Sequence, residues 1–121
     1  MGRNISNDRA VYQCQAEILR AMAHPARLRL LALLLEGPAC VGELVERTGY
    51  RQPYISQHLA RLRDAGLVEG IREGLTVCYH VTCPQAGHFL AAVQRLYAHH
   101  GKTNESGTAF LAEGENEQEC T

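Results

Sequence analysis

Between Gln52 and Arg61 the chain gathers side chains suited to reading a nucleic acid. A glutamine can bond adenine through two hydrogen bonds, an arginine can pair with guanine, and Ser56 and Tyr54 can reach phosphate oxygens. Tyr54, Gln57, His58 and Arg61 stand at relative positions 0, 3, 4 and 7, a spacing that lines them along one side of a helix. Ile55, Leu59 and Leu62 would then form the opposite, apolar stripe. A face of this kind on an isolated helix is as a rule merely solvated. The elements before and after it must decide whether it meets DNA.

Those elements have the required form. Val41, Leu44, Val45 and Thr48 share one face of a short helix, about 41–48, and Gly49 stops it in the manner of a C-terminal cap. A tight linker, Gly49–Gln52, leads into the next helix, about 52–65, which Gly66 ends. Two helices so joined are a helix-turn-helix. Val68–Arg72 and Val77–Val81 have strand character and Glu73-Gly74 between them is a turn signal, so a two-stranded hairpin follows directly. Such a hairpin is a wing. Arg72 at its tip, with Thr76 across the turn, is placed to touch the backbone at the adjacent minor groove, and Arg51 and Arg63 to touch phosphates.

Upstream, a helix over about 8–23 carries the stripe Val11, Cys14, Ile18 and Ala21/Met22. Pro25 suits the first turn of a second helix, about 26–36, whose leucines Leu28, Leu30, Leu31, Leu33, Leu34 and Leu35 leave it apolar on nearly all sides. It should be the central buried element. A fifth helix, about 85–100, sets Phe89, Ala92/Val93 and Leu96 on one side. The expected fold is mainly α with a small β-hairpin wing: five helices and two antiparallel strands. Residues 1–7 read as a flexible N-terminus, 8–100 as one winged helix-turn-helix domain, and 101–121, rich in Gly, Ser, Thr, Asn and Glu, as a disordered acidic tail.

The overall charge of −1 conceals a basic domain. Five of the thirteen acidic residues lie after position 104, where no Lys or Arg occurs, so residues 1–104 carry twelve basic against eight acidic side chains. No apolar run reaches the roughly 18 residues a membrane span needs, and the polar start, Met1–Ala10, has no signal-peptide character. A cytoplasmic protein is expected. Five cysteines, odd in number and without a CxxC pair, do not form a secreted disulfide framework or a zinc ribbon. An enzyme is not expected either, since the chain has no nucleophile elbow and no phosphate loop.

Taken in order, Ala23-His24-Pro25-Ala26-Arg27-Leu28-Arg29-Leu30-Leu31, Val41-Gly42-Glu43-Leu44, Gln52-Pro53-Tyr54-Ile55-Ser56-Gln57-His58-Leu59 and Leu62-Arg63-Asp64-Ala65-Gly66-Leu67-Val68 resemble the ArsR/SmtB family of metal- and redox-responsive bacterial repressors. Arg72-Glu73-Gly74 followed by Val77-Cys78-Tyr79 matches that family's wing, and the resemblance covers roughly residues 10–100. It implies a homodimer joined through the first and last helices, which presents two recognition helices to palindromic double-stranded operator DNA and releases it when an inducer binds. The apolar stripes on those two helices fit a dimer independently, because a domain this small leaves them exposed as a monomer. One departure stands at the N-cap of the recognition helix. The family often has Ser there, and this chain has Arg51.

The resemblance also directs attention to the thiols. Arsenic, cadmium and lead sensors of the family carry a Cys-Val-Cys pair where this chain has Cys40-Val41-Gly42, so one ligand of the two remains. Its place near a helix N-terminus favours the thiolate, the form that binds soft metals and reacts with oxidants. Cys14 could supply a second thiol across the dimer, or be a buried hydrophobe of its stripe. The family's zinc-type pairs on the last helix fall on Cys83, Gln85, Leu96 and His99, so two of four positions are lost. His88 and His99 lie ~16 Å apart along one helix, and only an antiparallel partner helix could bring His88 near the other chain's His99 or His100, with Cys83 as a further candidate. Otherwise these are surface histidines near a helix C-terminus. Cys78 reads as a packed strand residue and Cys120 as an exposed tail thiol. The expected inducer is thus As(III), Cd, Pb or Zn, or a thiol modification. Two other readings stay open: a regulator that senses nothing through its cysteines, and a protein-interaction module on the same scaffold.

Overall fold

The computed structural model describes residues 5–103, and side-chain surroundings for residues 8–100. Helix α1 (Ile5–Met22) leads to α2 (Pro25–Glu36), a short strand β1 (Ala39–Cys40), α3 (Val41–Thr48), α4 (Gln52–Asp64), the strands β2 (Val68–Glu73) and β3 (Thr76–Val81), and α5 (Gln85–Thr103). Helix α1 starts three residues before the expected position and α5 ends three residues beyond it. The rest of the expected tail, with Cys120, lies outside the described residues.

The core forms where the leucine-rich α2 meets α4 and α3. Leu30, Leu31, Leu44, Ile55, Leu59 and Leu62 are its largest fully buried side chains. His24 starts α2 from the N-cap, where its Nδ1 accepts a hydrogen bond from the Ala26 N–H at 3.0 Å. That bond satisfies one of the donors a helix start leaves open. Gly49 ends α3 at φ 80°, left-handed backbone that favours glycine. The Thr48 hydroxyl donates to the Leu44 carbonyl at 2.7 Å and accepts from the Tyr50 N–H at 3.0 Å, which fixes the link into α4.

The expected two-stranded wing is the larger part of a three-stranded antiparallel sheet, order β1-β3-β2. Strand β1 escapes the sequence pattern because two residues cannot show alternation; it pairs Ala39 with Tyr79 and Cys40 with Cys78. In the hairpin Glu73 pairs with Thr76, so the two-residue turn is Gly74-Leu75, one position later than expected. Gly74 has φ 67° at the first turn position, where a hairpin of this length favours glycine. Across the strands an added Cβ at Gly70 would stand 2.9 Å from Tyr79 Cε2 and 3.1 Å from Val77 Cγ1. The glycine lets the Tyr79 ring lie over the sheet.

Helices α1 and α5 bury little of their apolar surface within the chain. Among the described side chains, only Ala21 and Met22 of α1 and only Ala86 and Leu90 of α5 are buried in the core. Val11, Tyr12, Ile18 and Leu19 on α1, and Phe89, Leu96 and Tyr97 on α5, stay exposed. No helix among the described residues is long and apolar enough to cross a membrane.

Candidate nucleic-acid interface and cysteine cluster

Helix α4 opens at Arg51, whose backbone is extended (φ −76°, ψ 151°) and whose side chain makes no capping bond. Pro53 sits in the first turn, where its missing N–H costs nothing. The buried side of the helix is broader than Ile55, Leu59 and Leu62. It also takes in Tyr54 at 5% exposure and His58 at 8%, which corrects the expectation that both stand on the exposed polar face. The solvent face is therefore turned by about a quarter of the helix circumference. It presents Gln52, Ser56 and Gln57 flanked by Arg61 and Arg63, all exposed.

His58 packs against the start of α2, and Tyr54 lies between His58 and Tyr50. The His58 ring lies 4.3 Å from that of His24 and 4.6 Å edge-on to Tyr54, which in turn meets Tyr50 edge-on at 5.1 Å. Arg27 Nη1 donates to His58 Nδ1 at 3.1 Å, which assigns the acceptor role to that nitrogen. Burial, reinforced by the charges of His24, Arg27 and Arg61, pushes the His58 imidazole down to about 4 from its ordinary 6.5. The ring is neutral near neutral pH, as its acceptor role requires. Nothing in the periodicity of α4 distinguishes His58 from a solvent-facing histidine; the signal, in hindsight, is the His24-Pro25-Ala26-Arg27 run that faces it.

On the wing Arg72 is exposed opposite Val77, and the Thr76 hydroxyl donates to the Glu73 carbonyl at 3.2 Å. Leu75 at the turn is 98% exposed. Arg51, Gln52, Ser56, Gln57, Arg61 and the wing residues Arg72 and Thr76 are all exposed. They offer hydrogen-bond donors and positive charge from two adjoining elements.

The thiols are arranged differently from the expectation. Cys40, at the N-cap of α3, is disulfide-bonded to Cys78 across the β1–β3 pair, so Cys78 is more than the packed strand residue expected. Its backbone N–H donates to Glu43 Oε1 at 3.2 Å. Glu73 Oε1 lies 3.8 Å from Cys78 Sγ. Among the described residues Cys40, Cys78 and Glu73 are the one group of three metal-ligating side chains whose donor atoms lie within 4.8 Å of one another. Cys14 is a free, exposed thiol on α1 in a groove of about 460 Å³ shared with Arg61 and Asp64. Cys83 is half-buried, with Sγ 3.3 Å from Gln85 Oε1. His88, His99 and His100 are exposed along α5, and the rings of His99 and His100 lie 5.8 Å apart. They form no cluster of three donors among the described residues.

Residues 24–70 match the family described as bacterial regulatory protein, arsR family. The HTH-type transcriptional regulator Rv0081 of Mycobacterium tuberculosis is 37% identical over 89 residues, 73% of this chain and 78% of that protein. The biofilm growth-associated repressor of Agrobacterium fabrum is 38% identical over 68% of this chain and 70% of its own length. Among solved structures, the homodimeric winged helix-turn-helix DNA-binding domain Mb0332 from Mycobacterium bovis superimposes with a TM-score of 0.74 at 28% identity, covering 86% of this chain and 96% of that one. The exposed polar face of α4 beside a wing and these likenesses lead to one conclusion: the chain belongs to the arsR family of bacterial regulatory proteins and is a DNA-binding transcriptional regulator.

Proposed function

We propose that the protein is a cytoplasmic, homodimeric repressor that holds a palindromic operator and releases it when Cys40 is modified or takes up a thiophilic metal or metalloid ion such as As(III), Cd, Pb or Zn. The observation that carries the reading is the exposed face of α4 between Gln52 and Arg61, set next to the wing. Gln57 and Arg61 reach base edges in the major groove, and Gln52 and Ser56 help to seat the helix. Arg51, Arg63 and the wing residues Arg72 and Thr76 contact the phosphate backbone. Tyr54 and His58 act from beneath, through the position of the helix. The exposed apolar residues of α1 and α5 give the dimer its interface, since a lone domain would leave them in water. The name of the Agrobacterium relative and the homodimeric Mycobacterium bovis domain support repression and dimerisation.

The test is fluorescence anisotropy of the reduced protein on the DNA upstream of its own gene, titrated with salt and then with zinc, cadmium, lead, arsenite and a disulfide donor. Tight, salt-sensitive binding that one of these reverses is expected. Cys40→Ser should bind the same DNA and no longer respond. A fully inducible Cys40→Ser protein removes Cys40 from the reading, and an absence of specific binding under every condition removes the operator.

A further inference from the structure

We propose that in the reduced chain Cys40, Cys78 and Glu73 form a binding site for a thiophilic divalent cation of the zinc and cadmium class, seated between the N-terminus of α3 and the wing. The inference deepens the reading of Cys40 above: it supplies the second thiol and a carboxylate, both from the wing of the same chain.

The argument starts from register. Antiparallel pairing sets Cys40 of β1 directly opposite Cys78 of β3, on the same face of the sheet, and the two sulfurs are in covalent contact. Glu73, the last residue of β2, brings its Oε1 to 3.8 Å from Cys78 Sγ, and all three donor atoms fall within 4.8 Å of one another. Two thiolates on one zinc, at bonds of ~2.3 Å and a tetrahedral angle, stand roughly 3.8 Å apart. Once the bond between them is reduced, the two sulfurs need only part to that span, with Glu73 already beside Cys78. Two sulfurs and one carboxylate oxygen select soft or borderline cations over magnesium or calcium. The cysteines are half-buried on paired strands while Glu73 is exposed, so the site is held by the sheet and open on the carboxylate side. Glu43, the other carboxylate near Cys40, already accepts the Cys40 N–H.

The disulfide and the ion are alternatives, because sulfurs bonded to each other have no thiolate to offer. A dithiol reductant transfers two electrons and two protons to the Cys40–Cys78 bond, leaving two thiols while it closes its own disulfide. The cation then displaces the two thiol protons and is bound by both sulfurs and by the carboxylate of Glu73. Either way β1 is tied to β3, so the start of α3 is tied to the wing. Reduction without the ion removes this cross-link and leaves non-covalent packing and the two-residue pairing of β1 with β3.

The full-length chain, reduced with a phosphine and desalted without oxygen, is titrated with Cd²⁺ against a competing chelator, with the thiolate-to-cadmium absorption as the signal. One ion per chain is expected. Cys78→Ser should weaken binding by ~100-fold or more and Glu73→Gln by about 10-fold, whereas Cys14→Ser and Cys83→Ser should match the parent. Alkylation mapped by mass spectrometry on the unaltered chain gives a second readout that no folding defect can imitate: bound Cd²⁺ should protect Cys40 and Cys78 and leave Cys14 reactive. Parent-like affinity in Cys78→Ser, or protection of Cys14 in place of Cys78, would overturn the proposal. None of these readouts uses DNA. A failed operator assay would leave the metal site standing, and a failed titration would leave operator binding standing.

Discussion

Arg27 Nη1 donates to His58 Nδ1 at 3.1 Å, and the same guanidinium donates from Nε to the Ala21 carbonyl at 2.6 Å and from Nη2 to the Arg20 carbonyl at 3.4 Å. One side chain on α2 thus closes the C-terminal end of α1, whose last carbonyls have no helical partner, and braces the inner side of α4. The helix assigned to the dimer and the helix assigned to the operator share a single support.

Removing that support should cost stability. Arg27→Ala leaves His58 and the Ala21 carbonyl without their donor, and bonds from a charged group are worth about 1.5 to 3 kcal/mol each at most when part-buried. Urea unfolding should give a loss of about 1 to 3 kcal/mol, with Arg27→Lys losing part of it, because an ammonium cannot span both acceptors as the fork does. A parent-like midpoint for Arg27→Ala would show the contact to be idle.

The same contact predicts how stability depends on pH. His58 in the folded chain titrates at about 4, below its ordinary 6.5, so between these values the unfolded chain binds the proton that the folded chain refuses. Stability from this group is complete above pH 6.5 and falls as the pH is lowered toward 4. His58→Asn should flatten that part of the curve in urea titrations at stepped pH. A slope identical to the parent's would place the acid sensitivity elsewhere.

Gly70→Ala should loosen the wing without touching its charge. The new methyl would meet Tyr79 Cε2 at 2.9 Å and Val77 Cγ1 at 3.1 Å, an overlap of the kind that costs about 1 to 3 kcal/mol. Amide exchange across β2 and β3 should accelerate while α4 stays protected. Uniform protection would mean that the ring moves aside freely.

Arg72→Ala tests the wing as a phosphate contact. Binding should weaken by a similar factor on every DNA sequence, and the slope of log affinity against log salt should fall by about 1 per bound site lost. A changed sequence preference with an unchanged slope would make Arg72 a base reader.

The helix-turn-helix was legible because each of its parts carries a local signal. Gly49 and Gly66 mark the ends of α3 and α4, the stripe Ile55, Leu59, Leu62 marks the core side, and the strand pattern on either side of Gly74 marks the wing. The orientation of α4 was less so. Tyr54 and His58 are polar enough to face solvent; His58 is held inward by His24 and Arg27, far away in sequence, and Tyr54 packs edge-on against His58 and Tyr50. The Cys40–Cys78 pair was hidden for the same reason. It depends on a two-residue strand and a sequence separation of 38, and spacing along the chain does not encode which strands pair.

The most direct test of the account is one anisotropy titration, at fixed salt, of the reduced protein and its Gln57→Ala and Arg61→Ala variants on the DNA upstream of its own gene and on an unrelated duplex. If α4 reads bases through its exposed face, each variant should lose about 1 to 3 kcal/mol on the first duplex and far less on the second, with urea midpoints unchanged. Equal affinity of all three proteins for the upstream DNA would contradict the account, since the exposed face of α4 would then not be what meets the operator.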